Sequence, residues 1–108
     1  MNPQEDRQTR LKAKVFEAFS DPIRLKILEF LRTNEKCVCE IVPYVDMIQP
    51  VVSRHLRILK ECGLVQDRKE GTRRLYSITE PRIFEIIDAV TPKMLNFLSK
   101  RIIEQIAC

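Results

Sequence analysis

The sequence predicts a mainly α fold with one small β-hairpin. Three observations predict it. Apolar residues recur at helical spacing over most of the chain. One stretch, around Glu70-Gly71, changes to short β-type runs with glycine at the tip. Two glycines and no tryptophan among 108 residues suit helices better than a sandwich of turns. That length allows one domain with one modest core. A 44% hydrophobic and 31% charged composition excludes a disordered tail. No apolar run approaches the ~20 residues a membrane helix needs, so no span is expected. The N-terminus MNPQEDRQTR is polar and mixed in charge, so no secretion signal is expected and the chain is placed in the cytoplasm.

The elements follow in order. Leu11, Val15, Ala18 and Phe19 mark an amphipathic helix over about residues 5–19. Asp21 is a good N-cap and Pro22 a good first residue for a second helix, reaching about Arg32 with Ile23, Ile27, Phe30 and Leu31 on its stripe. A short third helix runs from about Val38 to Val45, kept short by Pro43. After the Asp46-Met47-Ile48 turn, a fourth helix spans Gln49 to Cys62, with Val52, Leu56 and Leu59 inward and Gly63 as its stop. Leu64–Lys69 and Thr72–Ile78 are the hairpin strands. From about Glu80 to 107 the chain is helical again, kinked or split at Thr91-Pro92. This last segment is apolar on more than one face, which predicts a partner, most simply a second copy of the chain.

The net charge is +4, and all of it lies in residues 49–74. That window holds seven basic side chains (Arg54, Arg57, Lys60, Arg68, Lys69, Arg73 and Arg74) against three acidic ones (Glu61, Asp67 and Glu70). The flanking segments each sum to zero. A localised basic surface is what a polyanion partner requires, although a solvated charged face has the same composition.

Helix, short helix, turn, helix and basic hairpin is the order of a winged helix-turn-helix, with residues 38–62 as the helix pair and 64–78 as the wing. The second helix of such a pair enters the major groove of double-stranded DNA. Its early residues here are Gln49, Val51, Ser53 and Arg54, followed by His55 and Arg57. Gln and Arg reach base edges with two hydrogen bonds, and Val meets a thymine methyl. The hairpin adds Arg68, Lys69, Arg73 and Arg74 along the backbone or in the minor groove. His55 is also readable as a half-buried histidine, and Arg68 and Lys69 as solubilising charges.

Three runs carry a resemblance: Ser20-Asp21-Pro22-Ile23-Arg24-Leu25-Lys26-Ile27-Leu28, Gln49-Pro50-Val51-Val52-Ser53-Arg54-His55-Leu56, and Leu59-Lys60-Glu61-Cys62-Gly63-Leu64-Val65. Over about residues 10–80 the chain resembles the ArsR/SmtB family of metalloregulatory repressors. The resemblance implies a homodimer joined by the first and last helices. It also implies an imperfect palindromic operator and release from it when an inducer binds.

Cys37-Val38-Cys39 is the sharpest local feature. Residues i and i+2 of a regular helix point about 200° apart, so ion binding there is expected to unwind the start of the third helix. In an extended segment the two face the same way. Within the family the run resembles that of the arsenite and antimonite sensors, which implies such an ion as inducer, bound by Cys37 and Cys39. Those sensors carry a third cysteine where this chain has Val42, so Cys108, of this or the other subunit, is the candidate third sulfur, and an exogenous ligand would also serve. Cys62, ending the fourth helix, reads as a small buried residue. Family sites that use histidine between the last helices lack their ligands here, because the single histidine is His55. Two alternatives stay open: a repressor of the same fold switched by cysteine oxidation, and a winged-helix module that binds protein. One histidine and no glycine-rich phosphate loop leave little for an enzyme to work with.

Overall fold

The computed structural model describes residues 1–107. Six helices and three strands follow one another as α1 (Pro3–Phe19), α2 (Pro22–Phe30), β1 (Lys36–Cys37), α3 (Val38–Val45), α4 (Gln49–Glu61), β2 (Val65–Glu70), β3 (Arg73–Ile78), α5 (Ile83–Ala89) and α6 (Pro92–Ala107). The expected helix pair and wing are present. Thr91-Pro92 separates two helices rather than bending one.

Local chemistry sets most of these boundaries. The Asn2 side chain accepts from the Glu5 N–H at 2.8 Å and starts α1 two residues earlier than the apolar spacing suggested. Asp21 caps α2 by accepting from the N–H groups of Ile23 and Arg24. The end of α4 is a Schellman turn: Gly63, at φ 79°, donates to the Lys60 carbonyl at 2.9 Å, and Leu64 donates to Leu59 at 3.0 Å. The hairpin pairs Glu70 with Arg73, so its two-residue turn is Gly71-Thr72, one position later than expected. Gly71 takes φ 62° there, a conformation costly for a side-chain-bearing residue.

β1 is an element that the sequence periodicity does not predict. Lys36 pairs with Tyr76 and Cys37 with Leu75, so the sheet order is β1-β3-β2. A two-residue strand carries no periodicity of its own and exists only through its partner.

The core sits where α2, α3 and α4 converge above the sheet. Ile27, Leu28, Ile41, Val52, Leu56 and Leu59 are fully buried. Leu64, Val65, Ile83 and Phe84 close it from the wing and α5. By contrast, α6 buries nothing over residues 92–106, and of α1 only Ala18 is buried. The extents of 55 × 39 × 24 Å reflect these two projecting helices. No helix among the described residues is long and apolar enough to cross a membrane.

Candidate nucleic-acid interface and cysteine pair

Gln49, Ser53, Arg54 and Arg57 are exposed along α4, and Val51 is half-buried. Helix spacing puts Gln49, Ser53 and Arg57 on one line, each one turn from the next. Pro50 in the first turn needs no N–H partner, so the helix starts cleanly although Ile48 offers no side-chain cap. Beside this line lies a groove of about 490 Å³, walled by Gln49 and Ser53 on α4, by Thr72, Arg73, Arg74 and Tyr76 on the wing, and by Cys37 and Cys39.

Most cations of the interface carry their own counter-charges. Arg68 meets Glu35 and, at 2.9 Å, Glu70, which hold its guanidinium charged well above the ordinary arginine range. Arg73 lies 3.4 Å from Glu40, and Arg57 lies 3.9 Å from Glu61. Asp67 lies between Arg74 and Lys60. Arg54 and Lys69 pair with no carboxylate among the described residues. The pairs of Arg57, Arg68 and Arg73 are exposed on both sides and weak in water, so a phosphate competes with them readily.

His55 does not join this surface, which corrects its assignment as a DNA contact. It is only 4% exposed and faces inward. Arg24 Nη1 lies 3.2 Å from its Nδ1, and Asp21 lies 3.9 Å from its Nε2. Because arginine only donates, Nδ1 is the acceptor. Arg24 also donates to the carbonyls of Ala18 and Glu17, so one guanidinium ties the ends of α1 and α2 to the middle of α4. Histidine at position 55 is therefore a bracket for the recognition helix.

The cysteine pair straddles the start of α3. Cys37 is the N-cap of α3, in extended conformation, while Cys39 lies within its first turn. Their sulfurs meet in a disulfide without any unwinding of the helix. Cys37 Sγ accepts from the Cys39 N–H at 3.0 Å, and Glu40 Oε1 accepts from the Cys37 N–H at 3.0 Å. Cys-Val-Cys-Glu is thus a capping box with sulfur in place of a hydroxyl, a spacing that the sequence itself carries. Cys37 is buried and Cys39 exposed, so the pair opens to solvent through Cys39. Val42 is half-buried against the core and offers no donor. No group of three potential ligands stands together among the described residues, and Cys108 lies outside them. Cys62, expected to be buried, is half-buried at the end of α4.

Two helices, a recognition helix with free polar side chains and a basic hairpin beside it define a winged helix-turn-helix DNA-binding protein. Residues 21–67 match the family described as bacterial regulatory protein, arsR family. An HTH-type transcriptional regulator of Methanocaldococcus jannaschii is 48% identical over 79 residues, covering 72% of this chain and 89% of that protein. The chain belongs to the ArsR family of transcriptional regulators, and it is not an enzyme. A probable mercury resistance operon repressor of Streptomyces lividans is 39% identical over 69% of this chain. An arsenical resistance operon repressor of Staphylococcus xylosus is 34% identical over 59% of it. The chain spans 60% and 62% of those two relatives. Among solved structures, the homodimeric winged helix-turn-helix DNA-binding domain Mb0332 of Mycobacterium bovis superposes with a TM-score of 0.79. It is 30% identical and aligns over 90% of this chain and 93% of that one.

Proposed function

We propose that this chain is a homodimeric, cytoplasmic repressor of transcription. It binds an imperfect palindromic operator in double-stranded DNA and leaves it when Cys37 and Cys39 bind a soft thiophilic ion, arsenite or antimonite. One observation carries the reading: the two sulfurs converge in the groove between the recognition helix and the wing. Thiolates select soft ions, and a helix N-terminus favours the thiolate form. An ion held there occupies the space into which a DNA backbone would descend, and it engages the cap of α3. Two sulfurs fill two positions of a three-coordinate ion, and an exogenous ligand or Cys108 fills the third.

Gln49, Val51, Ser53 and Arg54 would meet base edges and nearby phosphates, with Arg57, Lys69, Arg73 and Arg74 on the backbone. The arsenical and mercury repressors among the relatives support a soft inducer. The homodimeric Mycobacterium bovis domain supports the dimer, as do the exposed apolar faces of α1 and α6.

The test is fluorescence anisotropy of the reduced protein on DNA from upstream of its own gene, titrated with arsenite. Release at micromolar arsenite, lost in Cys37→Ser and Cys39→Ser, is the expected result. Tight binding that ignores arsenite but is lost on mild oxidation, and restored by dithiothreitol, favours the second reading, a thiol switch. The Cys37–Cys39 disulfide is the observation behind that reading.

A further inference from the structure

We propose that Asp67 is a positioning residue of the DNA interface. Its carboxylate joins the recognition helix to the wing and fixes the distance between the two elements that read DNA. The proposal rests on the DNA-binding function of the fold and assigns no direct DNA contact to Asp67.

The geometry is specific. Asp67 Oδ1 lies 2.7 Å from Lys60 Nζ on the last turn of α4, and Oδ2 lies 2.5 Å from Arg74 Nη1 on β3. The Asp67 side chain is 7% exposed, whereas Lys60 and Arg74 are 53% and 51% exposed. A shielded anion therefore sits beneath two cations whose outer faces remain free. Such an anion interacts more strongly than a surface pair, because less water screens it. The hydrogen bonds of Lys60 and Arg74 hold its carboxyl below the ordinary aspartate range, which agrees with the geometry.

The backbone makes the bridge directional. Asp67 is registered against Tyr76 in the hairpin, so β2 cannot slide to relieve a lost contact. At the other end, the Lys60 carbonyl is held in the Schellman turn that leads from α4 into β2. Without the carboxylate, two like charges face each other across the joint, and their repulsion turns the wing away from the helix. The wing and the recognition helix would then no longer match the spacing of backbone and groove together.

Removing Asp67 also adds one positive charge to a DNA-binding surface. Positioning and charge therefore push in opposite directions, and this separates them. The measurement compares binding to a duplex selected by the wild-type protein from a random pool with binding to an unselected duplex, across a salt series. Asp67→Asn is expected to lower the preference for the selected duplex at least ~10-fold. Its binding to unselected DNA should strengthen, with a salt slope steeper by about one. Lys60→Met breaks the same bridge while removing a charge. It is expected to lower the preference similarly, with weaker unselected binding and a shallower slope. Circular dichroism and thermal melting confirm folding, and Lys60→Met carries the test if Asp67→Asn unfolds. An unchanged preference in folded variants, whatever happens to overall affinity, overturns the positioning role. Equal loss on both duplexes overturns it too. A wild-type chain that selects no duplex fails at the DNA-binding reading itself.

Discussion

Cys37 is paired in antiparallel register with Leu75, one residue beyond Arg74 of the wing. The cysteine segment is therefore an edge strand of the wing sheet as well as the cap of α3. Glu40 makes a second link, since its Oε1 accepts from the Cys37 N–H and lies 3.4 Å from Arg73. Any ligand that draws the two sulfurs into a new geometry acts on both DNA-reading elements: on α4 through α3, and on the hairpin through β1.

The double role of Cys37 yields a prediction that separates stability from sensing. Serine is a preferred N-cap and keeps the acceptor, whereas alanine loses it at a typical cost of ~1 kcal/mol. Cys37→Ser should melt close to the wild type, and Cys37→Ala should melt several degrees lower. Both should lose release by arsenite in the anisotropy titration. Release retained by Cys37→Ser would remove Cys37 from the ion site and leave it as a cap alone.

Much of this arrangement was legible in the sequence. Val52, Leu56 and Leu59 advertised the inner face of α4 through spacing alone, and all three are fully buried. Asp21-Pro22 and Gly63 marked helix ends because capping chemistry is local. The rest depends on contacts across the chain. β1 exists only because β3 passes beside it, and Lys36 lies 40 positions along the chain from its partner Tyr76. His55 lies at a position suited to DNA contact, but Arg24 and Asp21, brought in by α2, turn it into a buried bracket. Asp67 is one of three acids in the basic window by sequence, and only the fold places it between Lys60 and Arg74.

The His55 bracket predicts a pH dependence. Burial holds its pKa below the ordinary 6.5; Arg24 and Arg54 add to the lowering, and the Asp21 carboxylate opposes it. As pH falls through about 6.5, the unfolded chain takes up the proton while the folded chain resists it, so stability declines toward acid. Protonated Nδ1 would also lose its bond from Arg24 and face that guanidinium as a like charge. Melting temperature should be level above pH 7 and fall as pH drops below about 6.5. His55→Gln, compared by thermal melting over the same range, should be less stable at pH 7.5 and nearly level across that window. An equally steep fall in His55→Gln would assign the effect to other groups. Asp21 contributes separately and at lower pH: burial opposes its ionisation, but the N–H groups of Arg24 and Ile23 outweigh this and lower its pKa.

Arg54 is exposed on α4 and pairs with no carboxylate among the described residues, so its whole charge is free for DNA. Arg54→Gln should weaken operator binding by about 1–3 kcal/mol if Arg54 reads a base. In that case the preference among sequences also relaxes. If Arg54 meets phosphate, binding weakens evenly across sequences and the salt slope drops by about one. Affinity that is insensitive to both salt and this substitution would favour a winged-helix module that binds protein.

The final prediction concerns the apolar faces that the single chain leaves open. Phe16 and Phe19 of α1, Leu25 of α2, Ile86, Ile87 and Val90 at α5 and Leu95 of α6 surround an apolar groove of about 370 Å³. Further along α6, Phe97 is 63% exposed, and Ile102 and Ile103 are exposed as well. In the proposed homodimer a second copy on α1 and α6 would cover this surface and would set two recognition helices for the two halves of a palindrome. Leu95→Glu would put a charge into that interface, where an unpaired carboxylate is costly. Because Leu95 is already half exposed in the single chain, the substitution should leave the monomer folded. Sedimentation equilibrium should show a dimer for the wild type and a monomer for Leu95→Glu. Operator affinity should fall at least ~100-fold while helical content by circular dichroism is unchanged. A variant that stays dimeric and bound to DNA would place the dimer contact elsewhere and leave α6 for a different partner.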